Sequence, residues 1–135
     1  MNALSYAMKL LKFRSRSISE IRRRLSMKNF SNEEIEKTIR KLLNYGYINE
    51  LQDAINYVEM KSSKGWSRRK IRYNLIKRGY KKGIIEKALK HYDKELVVQK
   101  LKRELNKKNI KKDKAIRLLK GRGFEAEIIK EVIFK

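Results

Sequence analysis

The chain has 135 residues, 37 of them Lys or Arg against 15 Asp or Glu, for a net charge of +22, and it contains neither Cys nor Pro. Without Cys there is no disulfide framework and no thiolate metal site, and no apolar run approaches the ~20 residues that cross a bilayer. So basic a surface repels itself and attracts polyanions, which makes nucleic acid, an anionic membrane or an acidic protein the candidate partners, while 41% hydrophobic residues suffice for packed cores.

In chain order, apolar spacing predicts helices throughout and no strand. Leu4, Ala7, Met8 and Leu11 follow an i, i+3, i+4, i+7 pattern and predict a helix from Ala3 to about Phe13. Ser17 caps a second helix running to Lys28, with Ile18, Ile21 and Leu25 inward. Ser17-Ile18-Ser19-Glu20 spells a capping box, in which the Glu20 carboxylate reaches back to the Ser17 N–H. Ser31 caps a third helix, Asn32 to Tyr45, with a second capping box at Glu34 and an inward set of Ile35, Ile39, Leu42 and Leu43; Gly46 stops it.

A second set of three opens near Asn49-Glu50. Leu51, Ala54, Ile55 and Val58 stripe its first helix. Ser67 caps the next, where Ile71 and Leu75 share one face and Gly79 gives the left-handed stop. Lys81 to Tyr92 follows, with Ile85 and Leu89 inward. The third set begins near Asp93. Its stripes are Val97, Val98, Leu101 and Leu105, then Ala115, Leu118 and Leu119, then Ile128, Ile129, Val132 and Ile133.

These sets are copies of one pattern. An offset of 50 carries Ser17, Ile21, Arg22, Leu25, Asn29 and Phe30 onto Ser67, Ile71, Arg72, Leu75, Gly79 and Tyr80; an offset of 44 carries the last three on to Leu119, Gly123 and Phe124. Ile35, Ile85 and Ile129 keep the same register. Periods of this length mark helical arrays. The expected fold is all-α: three tandem three-helix repeats, 1–48, 49–92 and 93–135, stacked into an elongated, curved array. One such unit buries little surface alone.

The charge is unevenly placed. The second helices, Ser17–Lys28, Ser67–Arg78 and Lys111–Arg122, carry +3, +6 and +5, whereas the third helices together carry +1. A helix-turn-helix reader would put the third helix of each unit in the major groove. There Glu33, Glu34 and Glu36, or Glu125, Glu127 and Glu131, would meet phosphates, which argues against base-specific reading. A basic stripe along the second helices suits phosphate tracking or an acidic groove. Its candidate binding residues are Arg22, Arg23, Arg24, Arg68, Arg69, Lys70, Arg72, Lys77, Arg78, Lys114, Arg117 and Lys120. Trp66, Phe30, Tyr80 and Phe124 are expected to pack between helices rather than stack on bases.

No catalytic constellation is visible. His91 is the sole His, and Gly121-Arg122-Gly123 is too short for a phosphate loop and lacks the Lys-Ser/Thr that would follow. No enzyme, cofactor or metal is expected. A membrane-surface role fits poorly, because no broad exposed apolar face lies opposite the basic residues.

Several segments resemble the RecX family, regulators of the RecA recombinase. They are Ala3-Leu4-Ser5-Tyr6-Ala7 leading to Arg16-Ser17-Ile18-Ser19-Glu20-Ile21-Arg22-Arg23-Arg24-Leu25; Tyr47-Ile48-Asn49-Glu50 with Ala54 and Tyr57-Val58; and Gly65-Trp66-Ser67-Arg68-Arg69-Lys70-Ile71-Arg72 with Leu75 and Lys77-Arg78-Gly79. Where the family shows two Asp residues and an aromatic-Ala pair, this chain has Asn49, Glu50, Asp53 and Ala54. The resemblance implies a non-enzymatic, cytoplasmic modulator, expected as a monomer. Such a protein lies in the helical groove of the RecA–DNA filament and opposes filament growth, strand exchange, ATP hydrolysis and coprotease activity. It also implies contact with DNA, single- or double-stranded, without sequence preference. The alternative is a non-specific nucleic-acid-binding or architectural protein with no recombinase partner.

Overall fold

Polar residues placed just ahead of apolar stripes set where the helices start. The computed structural model describes residues 1–135 and contains α1 (Ala3–Phe13), α2 (Ile18–Met27), α3 (Asn32–Asn44), α4 (Glu50–Ser63), α5 (Arg68–Lys77), α6 (Lys82–Leu89), α7 (Lys94–Lys107), α8 (Lys112–Gly121) and α9 (Ala126–Phe134). Asn2, Ser17, Ser31, Asn49, Ser67 and Asp93 each accept a backbone N–H of the first turn on a side-chain oxygen. The stops recur just as regularly. Asn29, Gly79 and Gly123 have φ of 66°, 90° and 88°. After them Phe30, Tyr80 and Phe124 donate their N–H back to the carbonyls of Leu25, Leu75 and Leu119, at 3.3, 3.2 and 3.1 Å. That turn swings each aromatic onto the core it follows: Tyr80 and Phe124 are buried, and Phe30 is half-buried.

Several expected details differ. Neither capping box closes through its carboxylate. Glu34 accepts the Ser31 hydroxyl at 3.2 Å, and Glu20 turns away to Arg14 and Arg16. The buried line of α1 is Ala3, Ala7 and Leu10, with Leu4, Met8 and Leu11 at its half-buried edges. Thr38 is buried on α3 and Leu43 is exposed, because position 38 lies four residues before Leu42 on the inward face, while 43 lies one step round the helix. On α4, Tyr57 takes the buried place beside Val58 and Ala54, and Leu51 is exposed.

The helices form an all-α array of tandem three-helix units. Its accessible surface is 9035 Å², against about 7,500 Å² for a compact monomer of this mass; the excess is that of an elongated stack. Two cores run through it. Helices α1–α3 enclose nine buried residues, among them Ile21, Leu25 and Leu42. Helices α4–α9 share one continuous core of 20, in which Ile71, Leu75, Val97 and Leu119 are fully or almost fully enclosed. The second and third units therefore stack through apolar contact, with α4 against α7. The first unit joins the second through polar groups.

Candidate polyanion-binding surface

The three basic helices are laid end to end. Ser17 caps α2 by accepting the Glu20 N–H at 3.0 Å, and its hydroxyl proton goes to the carbonyl of Arg78, the C-cap of α5. Ser67 repeats this one unit on: it accepts the Lys70 N–H at 3.1 Å and donates to the carbonyl of Arg122, the C-cap of α8, at 3.1 Å. Each serine thus satisfies an orphan donor of one helix and an orphan acceptor of the next. Gly79 and Gly123 sit at these joints. A Cβ on Gly79 would meet Ser17 Oγ and Ser19 Cβ at 3.0 Å, and one on Gly123 would meet the Arg69 side chain at 3.2 Å. The free ends of the row lack both features: Asn29 stands in the glycine position, and Lys111 in the serine position makes no side-chain cap.

Of the twelve predicted cations, three are bound to carboxylates on or just ahead of other helices. Arg22 pairs with Glu36 at 2.8 Å, Arg72 with Glu86 at 2.9 Å and Arg68 with Glu125 at 2.8 Å. The first two are two-pronged, and these hydrogen bonds are the first reason the Glu36 and Glu86 carboxyls lie below the ordinary value. Such arginines act as struts between helices as well as surface charge.

The other nine have no carboxylate in ion-pair range. Three lean on aromatic rings: Lys70 on Trp66 at 3.9 Å, Arg78 on Tyr57 at 4.4 Å and Lys77 on Tyr73 at 5.5 Å. Arg23, Arg69, Lys114, Arg117 and Lys120 are exposed, and Arg24 is half-buried.

Sequence reasoning missed three further cations. Lys61 and Lys64, at the end of α4, stand beside the row, and Arg122 closes α8 with an ion pair to Glu104 at 2.8 Å. Burial lowers the Lys61 ammonium from its ordinary value, and the charges of Lys64, Arg78 and Lys70 push the same way. The signal for the joints was present, because Ser recurs at 17 and 67 but not at 111, and Gly at 79 and 123 but not at 29.

The fold is an all-α stack of three-helix units with a row of cations along its second helices. No helix is long and apolar enough to cross a membrane. Two family models match: "RecX, first three-helix domain" over residues 3–42 and "RecX, second three-helix domain" over residues 50–89. The Regulatory protein RecX of Caldanaerobacter subterraneus subsp. tengcongensis is 33% identical over 135 residues, spanning 97% of this chain and 68% of that one. That of Chlorobium phaeobacteroides is 30% identical, spanning 97% and 91%. The crystal structure of RecX from Lactobacillus salivarius superposes with a TM-score of 0.85 at 25% identity, covering 97% of this chain and 92% of that one. A second RecX crystal structure, at 22% identity and a TM-score of 0.77, shares the fold. The chain belongs to the RecX family of regulatory proteins.

Proposed function

We propose that this chain is a monomeric, cytoplasmic modulator that lies in the helical groove of a RecA–DNA filament and restrains filament extension, ATP hydrolysis, strand exchange and coprotease activity. No chemical step of its own is needed. What carries the reading, given the family, is the end-to-end alignment of α2, α5 and α8. It turns three separate basic helices into one track that can follow a helical groove lined by acidic side chains and phosphates. The units 1–48, 49–92 and 93–135 would each meet a successive stretch of that groove. The nine unpaired cations are the contact set, and Arg22, Arg68 and Arg72 hold the track in shape.

The test is DNA-dependent ATP hydrolysis by preformed RecA filaments. Inhibition is expected at well below one protein per RecA, and not from an unrelated helical protein of equal charge. Reversing Arg23, Arg69 and Arg117 to Glu, one unpaired cation per helix, should raise the concentration for half-inhibition about tenfold or more. It should leave the helical circular dichroism unchanged. Unaltered inhibition would remove this surface from the interface.

The net charge of +22 favours a second reading, a non-specific nucleic-acid-binding protein. It predicts that inhibition follows coating of the DNA. Affinity for DNA alone would then fall steeply with salt, as counterions released by each neutralised phosphate drive binding. Weak DNA binding near physiological salt would dismiss it.

A further inference from the structure

A recess in the surface lies where α4 turns into α5 against the end of α8. It encloses about 710 Å³, and its walls include Lys64, Trp66, Arg69, Lys70, Tyr73 and Arg122. Trp66 is half-buried, and two ammonium groups are drawn to its ring: Lys70 at 3.9 Å and Lys61 at 4.2 Å. The ring quadrupole attracts cations without cancelling their charge, so the wall stays positive. The single carboxylate in the lining, Glu104, is engaged by Arg122. Tyr73 is one turn along α5 from Lys70 and is 61% exposed; Lys77 stands over one face of the ring at 5.5 Å, which leaves the other face for a ligand. The volume is that of an ordinary ligand site.

We propose that this cleft binds a segment of single-stranded nucleic acid, with one base laid against Tyr73 and the adjacent phosphates on Lys64, Arg69 and Lys70. This rests on the DNA half of the function proposed above. An exposed aromatic ring between cations calls for a ligand that alternates flat rings with anions. A strand with unpaired bases has that alternation. A duplex keeps its base faces inside the stack, and an acidic peptide would satisfy the ammonium groups but leave the Tyr73 ring idle. Lys61, Lys64 and Lys70 have no carboxylate in ion-pair range; burial first, and then the charges of Lys64, Arg78 and Lys70, lower the proton affinity of Lys61, and bound phosphate would ease the charge part.

The chain carries its own reporter, because Trp66 is its only Trp. The full-length protein is titrated with a fluorescein-labelled oligothymidylate of about 12 nucleotides, following probe anisotropy and Trp66 emission together. Both should change with one midpoint. A duplex of the same length and a polyglutamate of equal charge should change Trp66 emission clearly less at saturation, because neither lays a base in the cleft.

Tyr73→Ala should weaken binding about tenfold, and should remove the preference for oligothymidylate over an abasic strand of equal length. Lys64→Ala with Lys70→Ala should also cost about tenfold, against less than about threefold for Lys37→Ala with Lys41→Ala, an equal charge change on α3. Saturated anisotropy with constant Trp66 emission would overturn the proposal. So would equal losses in the two double variants, or an equal Trp66 response to duplex or polyglutamate. Intact inhibition of RecA ATP hydrolysis alongside any of these would sink the cleft and leave the filament reading standing.

Discussion

Gly79→Ala is expected to destabilise the protein by about 3 kcal/mol, and Gly46→Ala by about 1 kcal/mol. Both glycines have positive φ, 90° and 76°, so a Cβ strains the backbone at either. Only at Gly79 does it also run into a neighbour, since nothing lies within 4 Å of a Cβ at Gly46. The neighbour at Gly79 is the start of α2, whose Ser17 hydroxyl must reach the Arg78 carbonyl. Pushing these apart breaks the hydrogen bond and opens the seam between the first unit and the second.

Urea unfolding followed by helical circular dichroism checks the pair. Equal losses in the two variants would mean that the joint contributes nothing. Because α1–α3 have a core of their own, the damage should fall on the connection between units. Gly79→Ala should therefore split unfolding into two steps before it melts either core. The same break displaces α2 from the basic row, so its inhibition of RecA filaments should fall more than that of Gly46→Ala.

The joints explain which parts of this molecule can be read from the sequence. Helix stops and the innermost residues are local matters. Ile71 and Leu75 share a face because of helix pitch, Gly79 ends α5 because of φ, and Tyr80 follows as the aromatic that closes the turn; the structure has all four in these roles. Hydrophobicity alone places Leu43 in the core, but the helix sorts residues by angle, so Leu43 is exposed and Thr38 is buried.

The predicted cations were found by composition, which cannot tell a strut from a free charge. Arg22 and Arg72 reach Glu36 and Glu86 across the same 14-residue interval in two units, so the pairing was recoverable from the repeat itself. Arg68 with Glu125, 57 residues apart, was not, because it needs the third unit docked on the second. The Trp66 cleft is a product of that docking too: its walls come from α5, the corner before it, and the ends of α7 and α8.

Glu20→Gln should cost about 3–5 kcal/mol near neutral pH, the largest effect expected of any near-isosteric change in the chain. Glu20 is 6% exposed and Arg16 8%. The Arg16 guanidinium is fixed on one side by the Leu10 carbonyl at 3.2 Å and on the other by the Glu20 carboxylate. Arg14 adds bonds to both Glu20 oxygens, at 3.1 and 2.9 Å. A neutral amide keeps the shape and removes the counter-charge, so Arg16 is left charged and buried. Replacing both partners by apolar residues, Arg16→Met with Glu20→Leu, should cost much less than the single change, because no unpaired charge remains.

The pH dependence gives a second check. Burial alone would raise the Glu20 carboxyl, but the hydrogen bond and charge of Arg16 and the charge of Arg14 overcome it and hold the group below its ordinary 4.5. A carboxyl depressed in the folded state binds fewer protons there than in the unfolded chain. Its stabilisation is thus complete above the unfolded value and disappears as the pH falls through the folded one. The stability gap between the wild-type chain and Glu20→Gln should therefore be widest at neutral pH and narrow steadily below 4.5. The surface carboxylates held by Arg22 and Arg72 titrate alike in both proteins and cancel in the difference. A gap that stayed constant from neutral pH into acid would mean that Glu20 acts through shape rather than charge.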